Sequence, residues 1–227
     1  MSKQVKRSYR SDRREEQARE TRSRIRASAT ELFVECGFSA TSIAAVAEAA
    51  GVAPQTVYAN FGSKAQLLAE AIDVALAGDD QPVALAERLP DLSELAATSS
   101  EDVAVMIARM SSAVLKRAGS LIQVADAAAQ SDASLIAMWK AGHRGRLKDM
   151  KVLIARLEDS GHLRDEIEVD GASELLWVLT SPDTYRSFTV LLGWSAKKYE
   201  RWLGTTIQQA LFTGVDVQSI DIHEMMQ

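Results

Sequence analysis

Between Gly37 and Lys64 the chain stops a helix and starts another three times over, and few folds accept so many turns in so little sequence. Upstream, Ile25, Ala29, Leu32 and Cys36 recur at i, i+4, i+7 and i+11, which is one stripe of an amphipathic helix. Gly37 suits the position just past a helix end, which sets Phe38 against Phe33. Thr41 or Ser42 caps a second helix that turns Ile43, Val46, Ala47 and Ala50 inward and ends at Gly51. Pro54 fits the first position of a third, roughly Pro54 to Asn60, with Val57 and Phe61 inward. Ser63 and Gln66 have the spacing of a capping box and open a fourth, whose inner face reads Leu67, Leu68, Ala71, Ile72 and Ala75. The tight turn at Gly51-Val52 between the second and third helices makes the pattern a helix-turn-helix.

That arrangement suits a groove reader, because one helix must lie across the phosphates while the next enters the major groove. Gln55, Thr56, Ala59 and Asn60 fall on the outer side of the third helix, and Tyr58 is placed to reach the backbone. Gln and Asn can pair bidentately with adenine edges, and a Thr methyl can touch thymine. Lys64, opening the fourth helix, suits a phosphate. The net charge of −5 argues against a polyanionic partner until its distribution is considered. Residues 1–26 carry ten Lys or Arg and four Asp or Glu, whereas residues 65–227 carry fifteen and twenty-four. A basic head on an acidic body lets only the head face nucleic acid. The arm before Arg22 either touches the minor groove or is a solvated tail.

Helical periodicity dominates the remainder, with helices expected near 83–88, 101–118, 120–130, 132–160, 169–191 and 196–213. Gly78 to Pro82 breaks the pattern and is the best domain boundary. Pro182 interrupts or kinks the helix containing it, and the tail from Val215 has no clear signal. Gly142 and Gly145 inside one helix cost about 1 kcal/mol each unless close packing or a kink compensates. Two apolar stripes stand out near the end: Ala172, Leu175, Leu176 and Leu179, then Tyr199, Trp202, Leu203, Thr206, Ile207, Ala210 and Leu211. They bury either against a second copy of the chain or against their own domain. The fold class is therefore all-α: a basic arm (1–20), a helix-turn-helix domain (21–78) and a larger helical domain (79–227).

Other classes are disfavoured. No apolar run approaches the ~20 residues that span a bilayer, and no hydrophobic segment follows the basic N-terminus, so neither a membrane partner nor a secretory leader is expected. The single cysteine forms no internal disulfide, fits a reducing, cytoplasmic setting, and is expected in the core. Residues 83–227 hold His143 and His162 before the tail without metal-ligand spacing, a Gly-rich phosphate loop or a nucleophile elbow, so no metal, cofactor or catalytic residue is expected.

The stretch from Ile25 to Leu68 resembles the TetR family of transcriptional regulators. The matching features are the apolar first helix, Gly37-Phe38, the capped second helix ending Ala50-Gly51-Val52, Thr56-Val57-Tyr58, and Phe61-Gly62-Ser63-Lys64. Two positions depart from the pattern: Ala53 replaces a Ser or Thr cap, and Asn60 stands where His or Tyr is frequent. The resemblance implies DNA-facing roles for Ser42, Gln55, Thr56, Tyr58, Asn60 and Lys64. More weakly, segments around Leu176 to Pro182 and Tyr199 to Leu203 look like the family's effector domains. These dimerise through their last two long helices, which implies interface roles for Leu175, Leu179, Tyr199, Trp202, Leu203, Ile207 and Leu211. An effector pocket is implied among Met106, Met110, Trp139, His143, Met150, Trp177 and Tyr185. The function so implied is a homodimeric repressor on pseudo-palindromic double-stranded operator DNA, released by a small-molecule effector. The alternatives are an effector-independent or corepressor-dependent DNA-binding protein, and a helical enzyme.

Overall fold

The computed structural model describes residues 3–78 and 98–212, with side chains from residue 13, and contains no strand among the described residues. Its first part comprises α1 (Lys3–Ala40), α2 (Ile43–Ala49), α3 (Pro54–Phe61) and α4 (Lys64–Ala77). Helix α1 takes in the basic arm and breaks at Gly37, whose φ of 80° lies outside helical geometry, before a last turn resumes. Phe33 and Phe38 stack across the break at 5.8 Å. Ser42 accepts from the Ala45 N–H and Ser63 from the Gln66 N–H, so both expected caps are in place. Ala53 gives α3 no side-chain cap.

The inner row of α1 is Ile25, Ala29 and Phe33; Leu32 is half-buried and Cys36 is exposed. The expectation of a core cysteine is therefore corrected. The bulky Phe33 takes the covered edge, and Cys36, beside the break at Gly37, falls beyond what the other helices reach.

The second part comprises α5 (Ser100–Ala129), α6 (Ala133–Asp159), α7 (Val169–Leu179), α8 (Pro182–Arg186), a π-helical turn (Ser187–Leu191) and α9 (Ala196–Leu211). The two helices expected over 101–130 are one, with Gly119 buried and helical. Packing of α1, α4 and α9 along α5 outweighs the roughly 1 kcal/mol that glycine costs a helix interior. Pro182 does interrupt its segment: α7 stops at Leu179, and Ser181 caps a new start. Methyl groups added at Gly142 and Gly145 would meet nothing within 4 Å, so no close packing within this chain compensates for either glycine. The helix expected near 83–88, the Gly78 to Pro82 boundary beyond Gly78 and the tail from Val215 lie outside the described residues.

Two hydrophobic cores result, and α5 threads both. The first packs α1–α4 around Phe33, Val46, Val57, Phe61, Leu67 and Leu68, and is completed by Leu121, Ala125 and Ala128 of α5 and Leu135 of α6. The second packs Val103, Ile107 and Leu115 of α5 against Ile154, Leu157, Leu176, Tyr199, Leu203, Ile207 and Leu211. Each large side chain buried there contributes about 1.5–3 kcal/mol. Arg117 ties the parts together, donating from α5 to the carbonyls of Ala75 (3.1 Å) and Leu76 (3.3 Å) at the end of α4. Carbonyls in the last turn of a helix have no i+4 donor within it and attract a cation.

Candidate nucleic-acid interface and effector site

Helix α3 hangs from the first core by two side chains, the buried Val57 and Phe61. The 3.6-residue period then turns Gln55, Tyr58 and Ala59 outward, with Tyr58 54% exposed; Thr56 and Asn60 flank them, half-buried. Ser42, exposed at the start of α2, stands at the end of the helix that precedes the turn. Gly51 makes that turn at φ 64°.

Two of the candidates carry contacts that the sequence did not announce. Asn60 folds its amide back, Nδ2 donating to the Thr56 carbonyl at 2.7 Å. Lys64 Nζ donates to the carbonyls of Phe38 (2.7 Å) and Thr41 (2.9 Å) and lies 4.3 Å from the centre of the Phe38 ring. It thus staples the end of α1 to the start of α4, at the edge of the same face as α3. Behind α3, Arg22 pairs with Glu70, donates to the Asn60 carbonyl and covers the Phe61 ring at 4.5 Å; Arg26 reaches the same carboxylate at 3.4 Å. Glu70 also raises the pKa of Asp73, although burial of Asp73 is the larger cause.

The second candidate site lies where α5, α6 and α7 meet. Trp139 and His143, one turn apart on α6, have rings 4.9 Å apart, and Trp177 of α7 lies 5.7 Å from His143. His143 Nε2 lies 3.0 Å from Asp126 Oδ1, which ties the cluster to α5. Met106, Met150 and Tyr185 pack instead against the second core, and Met110 is half-buried on α5. Tyr185 stands edge-on to Tyr199 at 4.9 Å. Burial, then Glu200, raises the Tyr185 pKa; burial, then Tyr185, raises that of Tyr199. Arg146, whose segment Arg146 to Asp149 resembles the family's effector domains but which the sequence did not place in the pocket, lies 4.7 Å over the Trp177 ring, and burial lowers it to about 10 while Asp126 and Tyr199 hold it up. Among the described residues no three His, Cys, Asp or Glu come together to hold a metal, and no helix is long and apolar enough to cross a membrane.

Residues 25–71 match the sequence pattern described as bacterial regulatory proteins, tetR family. Solved structures agree over most of the chain. The secondary repressor NalD of the MexAB-OprM multidrug efflux pump in Pseudomonas aeruginosa superposes with a TM-score of 0.62 at 20% identity, over 88% of this chain and all of that one. A TetR-family transcriptional regulator from a Rhodococcus species does so with 0.62 at 15% identity, over 83% and 96%. Residues 25–71 thus carry the TetR-family pattern, and the fold over most of the chain is TetR-like. A third TetR-like fold is a protein described as a transcriptional regulator from Saccharomonospora viridis, solved in complex with choline: TM-score 0.64, 17% identity, 86% and 99% covered. No curated protein sequence matches.

Within this TetR fold the residues read as a dimer seam divide. Tyr199, Leu203, Ile207 and Leu211 are fully buried in the chain's own second core, facing α5. At the buried Gly204 a methyl would meet Ala108 Cβ and Val105 Cα at 3.7 Å, ordinary contact, so α9 and α5 pack closely there without requiring the glycine. Leu175 is exposed, while Leu179 and Trp202 are half-buried. The larger exposed apolar surface is one the sequence reading passed over, namely Val178 and the run Val190, Leu191 and Leu192. The signal was present as three consecutive apolar residues, Val190 to Leu192, but a helix-wide stripe masks it.

Proposed function

We propose that the protein is a homodimeric transcriptional regulator that reads a pseudo-palindromic operator with α3 and leaves it when a small molecule occupies the cleft between α5, α6 and α7. The observation that carries this reading is the stance of α3, held from behind by Val57 and Phe61 while Gln55, Tyr58 and Ala59 face out. A basic N-terminal segment adjoins it. One such helix touches too few bases to be specific, whereas two held about 34–36 Å apart read two half-sites on one side of a duplex. Ser42, Tyr58 and Lys64 contact the sugar-phosphate backbone; Gln55, Thr56 and Asn60 read or border the bases.

The second copy packs on Leu175, Val178, Leu179, Trp202 and the exposed run Val190 to Leu192, which would otherwise be left in water. Repression and ligand release are supported by the company the fold keeps, a repressor and a choline complex. They are supported too by the route available. Asp126 at the ligand cleft adjoins Ala125 and shares a helix with Arg117, and these bear on the first core and on α4. A ligand that shifts α5 therefore changes the spacing of the α3 helices, in proportion to its preference for one arrangement over the other.

Fluorescence anisotropy with DNA from the region flanking its own gene tests this. The protein should bind one inverted repeat as a dimer, with strong salt dependence. Gln55→Ala should relax the preference among operator variants while leaving random DNA unaffected. A monomeric protein, or an equal loss on specific and random DNA, sinks the assignment.

A further inference from the structure

The cluster where α5, α6 and α7 meet contains hydrogen-bond donors without acceptors among the described residues. Arg146 Nη2 donates to the Trp177 carbonyl and, at 3.3 Å, to Thr180 Oγ1, which holds the guanidinium against the Trp177 ring. Its Nε and Nη1 groups donate to nothing among the described residues, and no carboxylate there lies within salt-bridge distance. Asp126, the acid whose field Arg146 feels, is engaged by His143. Trp177 Nε1, within one indole's width of the guanidinium, is buried without a hydrogen-bond partner. A half-buried cation with no carboxylate in contact among the described residues and a buried N–H with no acceptor there both lose hydration without full compensation.

From these observations, and resting on the effector reading above, we infer that the ligand is a carboxylate carried on a flat apolar body, with Arg146 and the Trp177 N–H recognising the carboxylate. Two oxygens match the planar fork of a guanidinium, and they accept what the site donates. The rings of Trp139, His143 and Trp177 supply a flat apolar wall, and the partly exposed Trp139 marks the way in. One positive charge matches one negative charge; a dianion would leave surplus negative charge near Asp126. A cation such as the choline held by the S. viridis protein would face Arg146 and be repelled.

Titration calorimetry and tryptophan fluorescence on the full-length protein test the inference. The probes are 2-naphthoate and indole-3-acetate, their neutral amides, 2-naphthylmethylamine and 2-naphthyl phosphate. The carboxylates should bind about tenfold or more tightly than the amides, and the amine not at all. Arg146→Gln should bring carboxylate affinity down to that of the amide and leave the amide unchanged. Trp177→Phe should weaken carboxylates about threefold to tenfold, and Arg146→Lys should fall between. Circular dichroism checks folding, and if Arg146→Gln does not fold the other two variants carry the test. Preference for amine, amide or phosphate, carboxylate binding untouched in the variants, or no carboxylate binding at millimolar concentration overturns the inference. Operator binding is followed in parallel. A protein that binds DNA but no carboxylate refutes the ligand class alone, whereas one that binds carboxylates but no inverted repeat refutes the regulator reading alone.

Discussion

Arg22 and Glu70, far apart in sequence, close a fork behind α3, with Arg22 Nε donating to Glu70 Oε1 at 2.9 Å and Nη2 meeting the other oxygen. The third arm of the same guanidinium holds the Asn60 carbonyl, so one side chain joins α1, the last turn of α3 and α4. Glu70→Gln leaves two arginines facing a neutral amide. The pair is partly exposed, which moderates the cost to about 1–2 kcal/mol, or a fall of a few degrees in Tm. Thermal denaturation measures it, and an unchanged midpoint would show that the fork contributes nothing.

Lys64 serves structure before it serves DNA. Its two charge-assisted bonds to the carbonyls of Phe38 and Thr41 should each contribute about 1–2 kcal/mol net at this half-exposed position. Lys64→Ala should therefore lower Tm as well as operator affinity, and reduce the salt slope by about 1. Loss of DNA affinity with an unaltered Tm would mean that the staple is energetically idle.

Ala53 has the extended backbone of a cap, φ −76° and ψ 148°, without a cap's side chain. Ala53→Ser should gain about 0.5–2 kcal/mol and raise Tm by several degrees. Chemical denaturation with an unchanged m-value checks the gain; destabilisation would contradict the geometry.

Alkali should loosen the second core. The buried Tyr199 hydroxyl donates to the Leu179 carbonyl at 3.1 Å, and its pKa is raised in the fold. A raised pKa means that the folded state keeps its proton longer. The stabilisation is whole below pH 10, the usual tyrosine value, and drains away as pH rises above it. Arg146, lowered to about 10, pulls the other way above that pH, up to the ordinary arginine range, and blunts the fall. Tyr199→Phe should cost about 1 kcal/mol at neutral pH and flatten the alkaline decline. A decline identical to that of the unmodified protein would assign it to other groups.

What the sequence disclosed was local. Gly37, Ser42, Gly51, Pro54 and Ser63 act on their own turn of chain, so their spacing is enough to draw the helix-turn-helix, and Pro182 likewise marks its break. Partners are another matter. Periodicity found the α9 stripe of Tyr199, Leu203, Ile207 and Leu211 but could not say that α5 covers it. It gave Cys36 a place in line without revealing that the buried row of α1 runs through Phe33 and skips to Phe38, leaving Cys36 exposed. Gly119 read as a stop because its propensity is local, whereas the neighbours that keep it helical come from three other helices. The partners of Arg22, Glu70 and Arg146 left no signal, since charged residues on helices are usually solvated and these contacts span tens of residues.

The sharing of α5 between the two cores bears on engineering. A transplant of residues 1–78 onto a foreign sensor would leave behind Leu121, Ala125, Ala128 and Leu135, and so would carry an unroofed hydrophobic underside into its new host. Any working hybrid has to bring the far end of α5 along, which makes the natural unit of exchange discontinuous in sequence.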